Sequence, residues 1–174
     1  APFKTQAFMR SLAAILFALC PLLSAPAQAK PNVLLIISDD HAFNEYGFMG
    51  AKHIRTPHLD RISSQSALFT RGYATPLCSP SLACLLTGLH PHQHGVTGND
   101  PDIPDKSINP QAARRNPKYA TLYQSIIDGF AAQPNLVRNL TQSGYLALQT
   151  GKWWEGDFAH GGFTQGDTRD STAI

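Results

Sequence analysis

Asn32-Val33-Leu34-Leu35-Ile36-Ile37-Ser38 runs directly into Asp39-Asp40-His41. The unbroken run of β-branched and leucine side chains, bounded by polar residues, predicts a strand buried on both faces. Such strands belong to parallel sheets covered by helices. Working outward, Thr56-Pro57 opens a predicted helix, with a capping hydroxyl and proline at the first position, that turns Leu59, Ile62 and Ala67 inward. Residues 67–73 predict a second strand, which leads through Thr75-Pro76 to Cys78. Cys78-Ser79-Pro80-Ser81-Leu82-Ala83-Cys84-Leu85-Leu86-Thr87-Gly88 predicts a helix capped by Ser79, opened by Pro80 and stopped by Gly88. Residues 99–116, rich in Pro, Asp and Asn, predict a long surface loop. Residues 119–130 have helical spacing but are ambiguous. Residues 134–143 predict a short helix with Leu136, Val137 and Leu140 on one side, ended by Gly144. Residues 145–150 predict a third strand, followed by Gly151-Lys152-Trp153-Trp154. Strands alternating with helices predict an α/β fold, a parallel-type sheet flanked by helices.

In such sheets ligands gather beyond the carboxyl ends of the strands. Asp39-Asp40, Cys78 and Lys152 each follow a predicted strand, so they are expected to converge. Two adjacent carboxylates suit a hard divalent cation, calcium or magnesium; the competing reading is a solvated turn, which aspartate also favours. Cys78 stands at the positive end of its predicted helix, where unpaired N–H groups favour an anion. A lone lysine is ordinarily solvated. His90, His92 and His94 alternate as on one strand face and could bind a transition metal. Pro91 and the helix stop at Gly88 argue instead for a loop.

The chain has 174 residues, 43% hydrophobic and 15% charged, a globular composition. It begins with Ala1, and Met9 is the first plausible start. Met9-Arg10, the apolar run from Leu12 to Leu23 and Ala27-Gln28-Ala29 predict a secretory signal over residues 1–29, too short for a comfortable membrane span. Residues 30–174 would then be exported, to the periplasm or outside the cell. Leu19 disfavours a lipoprotein reading at Cys20. Cleavage after Ala29 removes Lys4 and Arg10 from the 14 basic residues and none of the 12 acidic ones, so the mature charge is balanced. No basic patch suggests nucleic acid. Of the cysteines, Cys78 and Cys84 remain; six residues of helix rise separate them by about 9 Å, beyond disulfide reach. Cys84 suits a small buried apolar position. Asn139-Leu140-Thr141 is a glycosylation sequon in a eukaryotic secretory route.

The Cys78–Gly88 stretch closely resembles the signature of the type I sulfatases, C-x-P-S-R-x-x-x-L-T-G. Pro31 to Asp40 is similar to the family's opening P-N-[VI]-[LV]-x-[IV]-x-x-D-D. Gly144 to Trp154 resembles its second signature, G-Y-x-[ST]-x-x-x-G-K-W-H, and Thr56-Pro57-His58-Leu59-Asp60 resembles its T-P-N-L-D segment, taken as structural. The resemblance runs from Pro31 to about Gly156 in the family's order. It implies an alkaline phosphatase-like α/β fold and hydrolysis of sulfate esters, with sulfated carbohydrates the family-level expectation and aryl or choline sulfate left open. By the same resemblance, a formylglycine-generating enzyme oxidises Cys78 to formylglycine, whose hydrate attacks sulfur. Asp39 and Asp40 bind the metal with residue 78, and Lys152 contacts the sulfate. A histidine near His94 is usual in the family, away from the metal.

The departures carry equal weight. Leu82 stands where the family has the arginine that the maturation enzyme reads and that orders the hydrate. Ala147 replaces Ser/Thr, a packing change. Trp154 replaces a histidine whose hydrogen-bonding role cannot carry over. The family's later metal ligands, a histidine and a second lysine have no counterpart after Gly156. Residues 30–174 are therefore expected to form the N-terminal part of a truncated sulfatase domain, inactive alone. The alternatives are a non-catalytic pseudo-sulfatase that binds sulfated glycans, with Trp153-Trp154 as an aromatic platform, or a related phosphatase or phosphonate hydrolase. On expression in a bacterial host, N-terminal sequencing of the exported protein should begin at Lys30; retention of Met9 would refute the leader.

Overall fold

The computed structural model describes residues 29–102, 112 and 114–167. Most of the predicted leader, and residues 103–111 of the predicted loop, lie outside the described residues. The chain divides into two compact units, Ala1–Ser38 and Asp39–Ile174. In the first, residues 29–38 form neither helix nor strand, and Val33, Leu34, Leu35, Ile36 and Ile37 are exposed. The strand expected over 32–38 is therefore not formed. Nor is the one expected over 67–73, where Phe69 and Tyr73 are exposed. A strand needs a neighbour to pair its backbone groups, and neither run joins a ladder among the described residues. Apolar side chains announce a strand but do not supply that neighbour.

In the second unit, two 3₁₀ turns, Phe43–Glu45 and Gly47–Met49, precede helix α1, Pro57–Ser64. Helix α2 is Cys78–Thr87, the short α3 is Pro91–His94, α4 is Pro117–Ala131 and α5 is Leu136–Gln142. Of the strand expected over 145–150, Leu148–Gln149 forms β1. It pairs in parallel with β2, Gln165–Gly166, setting Leu148 opposite Gln165 and Gln149 opposite Gly166. A 3₁₀ turn, Phe158–Gly161, lies between the two strands. Among the described residues this pair is the whole sheet, so helices supply most of the packing. The ambiguous 119–130 segment is helical because Asn116 caps it, accepting from the Lys118 N–H, and Pro117 fills its first position.

The core joins α2, α4, α5 and the segment after β1. Ala83, Leu86, Val96, Phe130, Val137 and Trp153 are buried together, with Leu82, Ile126, Ala147 and Phe163 packed against them. Trp153 meets Phe130 and Phe163 edge to face, at ring separations of 6.1 and 5.4 Å. A Cβ at Gly161 would stand 2.7 Å from the Trp153 ring, so only glycine fits there. Asn135 caps α5 by accepting from the Arg138 N–H and donates to the Gly161 carbonyl. On α5 Val137 is buried while Leu136 is exposed.

Helix α1 corrects another expectation. Leu59, Ile62 and Ala67 are exposed rather than turned inward. Polar bonds hold α1 instead. The Thr56 hydroxyl accepts from the Gly47 N–H and donates to Asp60 Oδ1, which also accepts from the Phe48 N–H, each at 2.8 Å. This is the structural role read for the Thr56–Asp60 segment. Asp60→Ala strands both donors, and the expected loss is about 1–3 kcal/mol. Leu59→Ala, at an exposed site, should stay within about 0.5 kcal/mol. Urea unfolding followed by circular dichroism checks both values.

Candidate active site

Helix α2 sets the position of Cys78. Leu77 precedes it at φ 70°, in the left-handed region that a leucine adopts only at some cost. That turn lets the helix begin at Cys78, with the Leu77 carbonyl accepting from the Ser81 N–H at 3.2 Å. Ser79 is therefore not the cap, and Pro80 is not the first helical residue. Pro80 still falls within the first turn, where its missing N–H costs nothing. Ser79 turns inward, and its hydroxyl donates to Glu155 Oε1 at 2.6 Å in a buried bond. The Ser79 N–H donates to Asn99 Oδ1 at 2.9 Å. At the other end Gly88, at φ 70°, closes the helix by donating to the Cys84 carbonyl.

Asp39, Cys78 and Lys152 meet although two of their three expected strands are absent. Lys152 Nζ lies 2.5 Å from Asp39 Oδ2 and 3.8 Å from Cys78 Sγ. The ammonium also sits 4.9 Å from the centre of the Trp154 ring, a cation–π contact. Where the resemblance implied a histidine, an aromatic face supports the lysine. The hydrogen bond from Lys152, then that from Cys78, holds the Asp39 carboxyl below its ordinary range. The bond to Asp39 in turn raises Lys152.

Asp40 completes the group. One ligand atom from each of Asp39, Asp40 and Cys78 lies within 4.8 Å of the others. Opposite ligands of a calcium ion, each at about 2.4 Å, stand about 4.8 Å apart, so the three positions can share one ion. The two carboxylates are the hard oxygen donors that calcium or magnesium takes; a thiol is not, whereas an oxygen at position 78 would be. Asp40 adopts φ 53°, a conformation aspartate tolerates better than most residues.

The histidines do not form a metal site. They lie on and before α3, not on a strand. The His90 and His92 rings stack at 5.8 Å, while His94 turns inward and is 2% exposed. Its Nδ1 accepts from the Val96 N–H at 3.1 Å, which leaves the proton on Nε2, 3.3 Å from Cys84 Sγ. Burial, followed by the charges of His90 and His92, lowers the His94 pKa and keeps the ring neutral. Cys78 and Cys84 are unpaired, as the helix spacing required. Trp153, at 4% exposed, cannot serve as a saccharide platform, which corrects that part of the binding alternative.

Sequence reasoning missed Glu155. It is 1% exposed, and burial pushes its carboxyl up to about 7. Its one visible signal is an acid between Trp154 and Gly156, directly after a tryptophan pair.

The two acids, the cysteine at a helix start and the lysine after β1 are the residues on which the sequence resemblance rests. A family model described as Sulfatase matches residues 31–171. The chain belongs to the sulfatase family. Its helices and parallel strand pair are compatible with that family's α/β fold. N-acetylgalactosamine-6-sulfatase of Canis lupus familiaris is 33% identical over 132 residues, covering 75% of this chain and 23% of that protein. Arylsulfatase D of Homo sapiens is 34% identical over 152 residues, covering 84% and 23%. Steryl-sulfatase of Mus musculus is 38% identical over 99 residues, covering 56% and 16%. The matches thus span about a fifth of the length of these sulfatases. No solved structure matches the chain. No helix among the described residues is long and apolar enough to cross a membrane.

Replacing Lys152 by methionine should raise the Asp39 pKa toward the ordinary 3.8, read by NMR titration of the carboxyl carbon. The depressed Asp39 contributes stability above about 3.8 that is lost as pH falls through its folded value. The raised Lys152 contributes stability below 10.5 that is lost as pH rises through its folded value. An unchanged Asp39 titration in the variant would dissolve the pair.

Proposed function

We propose that Asp39, Asp40, Cys78 and Lys152 are the nucleophile, metal and sulfate-contacting residues of a sulfate-ester hydrolase site. The observation that carries this reading is their convergence from three separate segments: Lys152 Nζ bridges Asp39 and Cys78, and Asp40 lies beside them. Membership of the sulfatase family supports it. Formylglycine derived from Cys78 would supply the nucleophilic oxygen, and a calcium or magnesium ion the positive charge at the sulfate. Asp39 and Asp40 hold that cation. Lys152, steadied by Asp39 and the Trp154 ring, faces position 78 and neutralises charge on a sulfate oxygen. The positive end of the α2 dipole favours the same anion. Fixed positive groups aimed at developing charge are the largest contribution in such sites. The substrate class is a sulfated carbohydrate, suggested by relatives named for N-acetylgalactosamine-6-sulfate. A formylglycine-generating enzyme would be the maturation partner, and the protein would act after export.

One observation favours a second reading. Leu82 packs against the apolar core rather than offering a charged group to the site. Without the arginine that maturation reads, Cys78 stays a thiol, and the site binds a sulfated glycan without turning it over.

Calcium titration by calorimetry tests the metal half. One saturable site is expected, and Asp40→Asn should weaken it about tenfold through loss of a charged ligand. No binding to the unaltered protein would overturn the proposal. Mass spectrometry of the Cys78 peptide, after co-expression with a formylglycine-generating enzyme, tests the other half. Aldehyde in the unaltered protein is the outcome the hydrolase reading requires. Thiol in the unaltered protein with aldehyde in Leu82→Arg favours the second reading.

A further inference from the structure

Glu155 is the buried ionisable group that the proposed chemistry does not use. It is 1% exposed, and its Oε2 has no hydrogen-bond partner among the described residues. Burial raises its pKa, and the groups that oppose this are uncharged: the Ser79 hydroxyl and the amides of Glu155 and Trp154. A leucine there would avoid the desolvation cost, so the carboxyl is a local conflict of the kind that accumulates at functional sites.

The contacts around it form a closed circuit. Glu155 Oε1 accepts from the Ser79 hydroxyl, and Ser79 is the chain neighbour of Cys78. Glu155 follows Lys152 by three residues, and the Trp153 indole N–H donates to the Glu155 carbonyl at 3.1 Å, which stiffens the connection. Lys152 Nζ then returns to Cys78 Sγ at 3.8 Å. Asn99 holds the same turn of α2 through the Ser79 N–H. The Ser79–Glu155 bond is therefore a buried cross-link between the segment carrying Cys78 and the segment carrying Lys152.

We propose that Glu155 is a positioning residue: through its buried hydrogen bond to Ser79 it sets the distance between Cys78 and Lys152. The proposal deepens the reading of Cys78 and Lys152 as site residues and rests on it. Glutamine keeps an acceptor of the same length and should preserve the cross-link. Leucine removes it at similar volume.

The test reads the thiol, so it needs no turnover and no metal. The protein is expressed without a formylglycine-generating enzyme. Carboxamidomethylation of Cys78 and Cys84 by iodoacetamide is followed by peptide mass spectrometry. Glu155→Leu should change the Cys78 rate by about threefold or more, the scale of coupling between contacting groups, and leave the Cys84 rate unchanged. Glu155→Gln should restore the native rate. Lys152→Met should alter the Cys78 rate in the unaltered protein and add nothing in the Glu155→Leu background. If Glu155→Leu does not fold, Ser79→Ala removes the same bond from the other side and should give the same change. An unaltered Cys78 rate in a folded Glu155→Leu or Ser79→Ala variant overturns the proposal. So does an equal change at Cys84, or failure of glutamine to restore the rate. Loss of sulfatase turnover or calcium binding alone would count against the function and leave this result standing.

Discussion

Trp153 is the side chain through which the apolar core reaches the site. Its indole is wedged edge-on between Phe130 of α4 and Phe163, against Gly161, which has no side chain to obstruct it. The chain on either side of a tryptophan held this way has little freedom. Lys152 precedes it, and Trp154 and Glu155 follow, so three polar contacts inherit their placement from one apolar wedge. Ala83 and Leu86 bring α2 into the same cluster, which carries Cys78 at the helix start. Apolar packing fixes the frame, and the polar groups then select among the few positions it leaves.

Within that frame Lys152 meets two kinds of surroundings. Asp39 offers a full negative charge, and Trp154 offers a polarisable face. Both side chains of the ion pair are about half exposed, at 49% and 48%, so solvent screens the attraction. The pair is better understood as orientation than as stability. Carboxylate and indole together hold the ammonium 3.8 Å from the Cys78 sulfur.

How legible all this was differs from element to element. The helices over Pro57–Ser64, Cys78–Thr87 and Leu136–Gln142 were announced by proline, glycine and apolar spacing, all local signals. The runs at 32–38 and 67–73 have every local mark of a strand and form none, because a strand depends on a neighbour that local sequence does not contain. The inward face assigned to α1 failed for a related reason: Thr56 and Asp60 already satisfy the adjoining turn, so α1 needs no apolar contact there. The proximity of Asp39, Cys78 and Lys152 was legible through ordered motifs rather than through periodicity. Ser79 looked like a helix cap because its partner, Glu155, lies far along the chain. Glu155 stayed invisible because burial of an acid is a property of the packed state.

The exposed run from Val33 to Ile37 has a colloidal consequence. Five consecutive β-prone side chains without a charge are the composition of a segment that stacks on copies of itself. Pro31 precedes the run, and Asp39 and Asp40 follow it. Proline interrupts a growing ladder, and adjacent like charges repel when strands stack in register, so these residues are gatekeepers of solubility. Asp39 and Asp40 thus place like charge beside the exposed run, and neutralising them, by acid or by a tightly held cation, removes that repulsion.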